Sequence, residues 1–205
     1  MESDNFLSEL QQYKQINLIG PMISIEVVQL IEKLPTIFVD GGVKAHPQIS
    51  DVPTLRIGDG DSSNEPMDIC LSPNKDFTDL NYTLNLIPDH IEEIHCWGFL
   101  GGRKDHEIVN FGEFHQFLKK SKSKTEVFIE KQFIGFNNPM YHFEHQGLFS
   151  LLNFEDAQIK VVGDCQYPLN QKTPIKPLSG FTISNIASGT VHLESDSPLF
   201  IYLGQ

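Results

Sequence analysis

The chain has 205 residues, of which 40% are apolar, 10% aromatic and 20% charged, enough apolar material to fill a core and too much for a disordered chain. Fifteen basic residues against 27 acidic ones leave a net charge of −12, a surface that repels phosphate backbones and argues against nucleic-acid binding. The longest apolar runs, such as Leu199–Leu203, have strand length and exclude a membrane span, and the acidic N-terminal stretch has no cationic-then-apolar leader, so a cytoplasmic protein is expected. Cys70, Cys96 and Cys165 are widely spaced, odd in number and without a CxxC pair, which argues against both a disulfide framework and a structural zinc site.

Along the first 120 residues, strand and helix patterns alternate. Ile16–Ile19 reads as a short strand, and Ile25–Leu34 carries apolar residues at helical spacing. Thr36–Val39 is a β-branched and aromatic strand that runs into Asp40-Gly41-Gly42. Leu55–Ile57 is another, ending in Gly58-Asp59-Gly60-Asp61-Ser62, and Met67–Leu71 suggests a further short one. Thr78 has the features of a helix N-cap, with Asp79 in the first turn. Ile94–Leu100 leads into Gly101-Gly102, and Glu107–Leu118 is amphipathic. This alternation predicts a mostly parallel α/β sheet domain over residues 1–122.

Lys119–Lys124 holds four lysines in six positions and reads as a helix end and linker. Beyond it the period becomes two. Glu126–Glu130, Gly147–Phe154, Gln158–Val162, Thr190–Glu194 and Leu199–Leu203 are predicted strands, with Asp196-Ser197-Pro198 as a hairpin turn joining the last two. An antiparallel β-sandwich domain over residues 123–205 is expected.

In an open α/β sheet, ligands bind beyond the carboxyl ends of the strands. Four such ends carry charge here: Asp40-Gly41-Gly42, Gly58–Ser62, Lys75-Asp76-Phe77-Thr78-Asp79 and Gly101-Gly102-Arg103-Lys104-Asp105-His106. Asp59 and Asp61, two apart on a segment read as extended, present both carboxylates to one side, and Asp79 at a helix start offers a third. Such a set suits a hard cation like Mg²⁺, which keeps few protein carboxylates and takes phosphate oxygens. The glycines allow close backbone approach to phosphate, and Arg103 offers a fixed charged fork. The histidines are less informative: His142 and His145, three apart in a strand, face opposite sides, and His192 has no partner at metal-ligand spacing. There is no P-loop and no nucleophile elbow.

The four motifs, in this order, resemble the thiamine pyrophosphokinase (thiamine diphosphokinase) family, whose pattern is DGG, GDxDS, KDxTD and a Gly-Gly-Arg-x-Asp-His segment. The similarity extends to Tyr167-Pro168-Leu169 and Ser184-Asn185, and so covers residues 16 to 203. The chain departs from the family at Val43-Lys44, where Ala-Asn is usual, and at Gly60, where Phe is usual. The resemblance implies transfer of a diphosphate from ATP to the hydroxyl of thiamine, with release of AMP. It also implies that Asp59, Asp61 and Asp79 hold Mg²⁺, with Arg103 among the catalytic groups. By the same resemblance, Asp40, Gly41, Gly42, Lys75, Asp76, Thr78, Gly102, Asp105 and His106 line the nucleotide side. Tyr167, Ser184 and Asn185 would help to form a thiamine pocket, which in the family lies at a homodimer interface. A diphosphokinase of another heterocyclic alcohol, such as a pterin or thiamine analogue, and a non-catalytic thiamine or nucleotide sensor remain as alternatives.

Overall fold

The computed structural model describes residues 2–49, 51–61 and 65–204, and the chain divides into two compact units, Met1–Phe117 and Leu118–Gln205. The first opens with helix α1 (Glu2–Glu9), which the polar N-terminal composition did not announce; Phe6 and Leu10 bury fully and anchor it. Five parallel strands follow in the spatial order β5-β1-β2-β3-β4: β1 (Gln15–Ile19), β2 (Thr36–Val39), β3 (Thr54–Gly58), β4 (Ile69–Cys70) and β5 (Glu93–Trp97). All four residues of β2 are buried, as a strand covered on both faces requires. Helix α3 (Asp79–Leu86) is capped by Thr78, whose hydroxyl accepts from Asn81 N at 2.9 Å, and α4 (Lys104–Lys120) follows β5.

The helix expected over Ile25–Leu34 is only one turn, α2 (Ile25–Val28), capped by Ser24. Pro35 disfavours helical backbone at Leu34, and the amide of Asn17 binds the Glu32 carbonyl at 2.9 Å, so the chain leaves the helix early to enter β2. Leu30 is consequently exposed.

The second unit is a hydrogen-bonded antiparallel sheet in the order β10-β9-β11-β8-β12-β7-β6. Its strands are β6 (Glu126–Ile129), β7 (Phe133–Phe136), β8 (Met140–Leu152), β9 (Ala157–Cys165), β10 (Leu169–Ile175), β11 (Asn185–Ser195) and β12 (Leu199–Leu203). One face buries Phe149, Leu151, Ile159, Val161, Val191 and Ile201 in a single apolar cluster. Two of these strands were not legible in the sequence. At Gly135, in the middle of β7, a Cβ would lie 2.5 Å from the Phe200 ring, so the apolar pattern there is interrupted by packing. The other, β10, is an outer strand with a polar run and Pro174, a composition suited to an edge.

The hairpin expected at Asp196-Ser197-Pro198 does not form. Strands β11 and β12 lie on opposite sides of β8, paired through Asn185↔Phe149 and Leu203↔Phe149. The long β8 supplies partners to both, and Asp196 turns away to accept Gln158 N at 2.7 Å. Among the described residues, no helix is long and apolar enough to cross a membrane.

Candidate active site

The site starts from register. Val39 pairs with Ile57, so β2 and β3 end side by side and release Asp40 and Asp59 at neighbouring points. Gly42 then passes under β1, where a Cβ would collide with the Ile19 carbonyl oxygen; only glycine fits. Asp40 adopts φ 49, a left-handed conformation uncommon outside glycine and asparagine, which turns the chain sharply as it leaves β2.

Asp59 and Asp61 converge by a different route from the one their spacing suggested. The segment is not extended: Gly60 has φ 79, and Asp61 N donates to Asp59 Oδ1 at 3.2 Å. The carboxylates meet across a tight turn, and the glycine supplies a conformation that other residues adopt at a cost. Ser62, which closes this motif, lies outside the described residues.

One oxygen from each of Asp40, Asp59 and Asp61 lies within 4.8 Å of the others. Asp40 Oδ1 is buried and accepts no hydrogen bond among the described residues. A buried carboxylate oxygen without a donor is costly unless a cation neutralises it. Three converging hard oxygen donors, one of them orphaned, fit a divalent cation such as Mg²⁺. Asp79 stands one salt bridge away. Lys75 Nζ lies 3.3 Å from Asp59 Oδ2 and 3.2 Å from Asp79 Oδ1, with the three side chains only 10–15% exposed. Burial raises the pKa of Asp79 against the pull of Lys75, and repulsion from Asp40 and Asp59 adds to the rise. The Asp61 amide, and then Lys75, hold Asp59 below its ordinary value. Burial works to lower the pKa of Lys75, but the hydrogen bond and charge of Asp79, and then of Asp59, keep it raised.

Around this centre, Gly41 and Gly42 are buried, Asp76 is exposed, and Thr78 acts as the helix cap described above. Arg103 forms a two-point ion pair with Asp105, Nε to Oδ1 at 3.1 Å and Nη2 to Oδ2 at 2.5 Å, both side chains largely exposed. His106 N donates to Asp105 Oδ1 at 3.0 Å. The amide of Gly101 donates to Glu107 Oε1 at 2.7 Å, and Lys104 Nζ lies 3.0 Å from both oxygens of that carboxylate. Lys104 first, and the amides of Gly101 and Gly102 with it, lower the pKa of Glu107 against partial burial. Glu107 thus holds the glycine loop by its amides. Neither this role nor the place of Asp40 among the carboxylates was legible in the sequence, because both depend on contacts made at strand and helix ends.

In the second unit, a cavity of about 470 Å³ is lined by Tyr167, Pro168, Phe181, Ile183, Ser184 and Asn185, among others. That volume suits a small heterocycle. Asn185 is buried; its Oδ1 accepts from Tyr167 N at 3.0 Å and from Ile186 N at 2.8 Å, and its Nδ2 donates to Tyr167 O at 2.8 Å. Its amide therefore grips the Tyr167 backbone. The Tyr167 side chain is 60% exposed and free to cover a ligand. Ser184 has φ 60, and its amide donates to Ser150 Oγ at 2.9 Å, which holds this strained point in place.

A family model described as "Thiamin pyrophosphokinase, catalytic domain" matches residues 29–129, the stretch that contains all four strand-end motifs. The chain belongs to the thiamin pyrophosphokinase family. Solved structures agree on the fold. A thiamine pyrophosphokinase from Bacillus subtilis superposes with a TM-score of 0.70 at 23% identity, covering 94% of this chain and all (100%) of that one. A family protein from Enterococcus faecalis gives 0.68 at 18% identity, covering 93% and 99%. The Candida albicans enzyme gives 0.66 at 15% identity, covering 96% and 89%. No curated protein matches the sequence.

Proposed function

We propose that this member of the family is a thiamine diphosphokinase, which moves a diphosphate group from ATP to the hydroxyl of thiamine and releases AMP. The observation that carries the reading is the meeting of Asp40, Asp59 and Asp61 at the adjoining ends of β2 and β3, with a buried Asp40 oxygen left for a cation. Asp40, Asp59 and Asp61 would hold Mg²⁺, with Asp79 kept close by Lys75. The cation, when bound, supplies charge neutralisation on the transferred phosphates.

The chain's own residues do the rest. The Gly41-Gly42 turn brings backbone close to the nucleotide side, with Asp76, Thr78, Gly102, Asp105 and His106 around it. Arg103, held in its fork by Asp105, exchanges that carboxylate for a phosphate oxygen and places fixed charge where the diphosphate travels. Transfer of this kind needs in-line placement more than covalent help from the protein. In the second unit, Tyr167 lies over the pyrimidine of thiamine, with Ser184 and Asn185 shaping the pocket floor. We read that unit as a β-sandwich whose single sheet folds over its core, residues 1–122 as the ATP and metal domain, and 123–205 as the thiamine and dimerisation domain. The exposed apolar side chains of Tyr167, Phe181, Ile183 and Ile186 support a homodimer.

The test is AMP release from ATP and Mg²⁺ with and without thiamine, with the product identified by mass. Thiamine-dependent AMP together with thiamine diphosphate is the expected result. ATP and Mg²⁺ binding without thiamine-dependent AMP would overturn the assignment of the acceptor.

A further inference from the structure

The tertiary structure pairs two histidines that the sequence keeps fifty residues apart. His142 on β8 and His192 on β11 are direct cross-strand partners in the antiparallel ladder. Both side chains are exposed, on the face opposite the buried Phe143 and Val191 that are also register partners. Their ring centres lie 6.0 Å apart with an interplanar angle of 33°. Directly opposed residues hold their Cβ atoms at about 4.5–5.5 Å whatever the rotamers, so the proximity is a property of the ladder. On the same face, Glu144 lies two residues further along β8, and its Oε1 accepts from Thr190 Oγ1 at 3.4 Å. Across β11, Gly163 on β9 has φ 103, and a Cβ there would lie 3.3 Å from His192 Cδ2, so the glycine leaves room for the ring.

We propose that His142 and His192 form a second, transition-metal site on the solvent face of the antiparallel sheet, separate from the carboxylate site and selective for borderline ions such as Zn²⁺ or Ni²⁺. Imidazole binds Zn²⁺ at about 2.0–2.1 Å, which puts the ion roughly 3.2 Å from a ring centre, so two rings on one ion have centres at most about 6.4 Å apart. The observed separation is inside that limit, and small rotations of two exposed rings close it further. Neutral imidazole prefers these ions to Mg²⁺, which takes oxygen ligands, so the two sites sort metals by donor type. Water completes the coordination, with the Glu144 carboxylate near enough along the strand to bind such a water. A net charge of −12 raises the local concentration of any cation.

The experiment titrates Zn²⁺ into the full chain by calorimetry, with millimolar Mg²⁺ present to occupy the carboxylates. The parent protein and the variants His142→Gln, His192→Gln and His145→Gln are compared, each checked for an unchanged melting curve. One Zn²⁺ per chain, weakened about tenfold or more by either His142→Gln or His192→Gln but not by His145→Gln, is expected. The same titration followed by NMR should shift the ring protons of two histidines together. Zn²⁺ binding unchanged in both variants, or lost equally in His145→Gln, would overturn the proposal. Thiamine-dependent AMP release should be the same in His142→Gln as in the parent.

Discussion

Lys75 bridges two carboxylates that come from different elements, 3.3 Å from Asp59 in the turn after β3 and 3.2 Å from Asp79 at the start of α3. Its ammonium is shared between the two groups, in a site where four aspartates gather. Replacing it by Met leaves Asp59 and Asp79 to repel each other and Asp40. Lys75→Met should lower the melting temperature without Mg²⁺, regain most of the loss when Mg²⁺ is added, and reduce kcat/KM by about 10²-fold. A variant whose stability does not respond to Mg²⁺ would place Lys75 outside the cation's reach.

The geometry ranks the aspartates. Asp40, Asp59 and Asp61 share one point, whereas Asp79 reaches it through Lys75. Asp40→Asn and Asp61→Asn should each weaken Mn²⁺ binding by about tenfold or more, and Asp79→Asn by less. Electron paramagnetic resonance of free Mn²⁺ gives the three affinities directly. A larger loss in Asp79→Asn than in Asp40→Asn would return Asp79 to the ligand set in place of Asp40.

Asn185 acts on the pocket through the Tyr167 backbone, since its amide is engaged there on both sides. Asn185→Ala and Tyr167→Ala should each raise the KM for thiamine about tenfold with a smaller change in kcat, the size expected for one aromatic contact. In the double variant the effects should not add. Asn185→Asp, which keeps the acceptor but not the donor, should fall between. Additive effects would show that Asn185 touches the substrate itself.

His46 sits at the end of the turn that begins at Asp40, edge-on to Phe38 with ring centres 5.3 Å apart, and 3.4 Å from Thr54 Oγ1. Burial first, and the charge of Arg56 next, lower its pKa below the ordinary 6.5, over the opposing pull of Asp68 and Glu65. The folded state therefore favours the neutral ring. This contribution is complete above pH 6.5 and is lost as the pH falls through the lowered folded value. The melting temperature should drop between pH 7 and pH 5, with a flatter profile in His46→Gln. Parallel profiles in the two proteins would remove His46 as the cause.

The sequence by itself determined the local units and the chemistry they carry. β-branched runs bounded by Asp and Gly specify buried strands that end in ligand-facing turns, and Thr78 before Asp79 specifies a helix start, because these signals act over a few residues. The four acidic motifs were therefore legible, with a cation and phosphate as their natural ligands. Tertiary structure decided who meets whom. Asp40 joins Asp59 because Val39 pairs with Ile57, and no local pattern encodes a register between parallel strands joined by a crossover. The Ile25–Leu34 pattern promised a longer helix than the one formed, since Pro35 and the Asn17–Glu32 bond outweigh periodicity. The Asp-Ser-Pro turn looked like a hairpin until the longer β8 took both neighbouring strands as its partners. His142 and His192 became neighbours by the same pairing. Strand order and register depend on the whole sheet's burial, a sum over contacts distant in sequence, and that sum is written only in the folded chain.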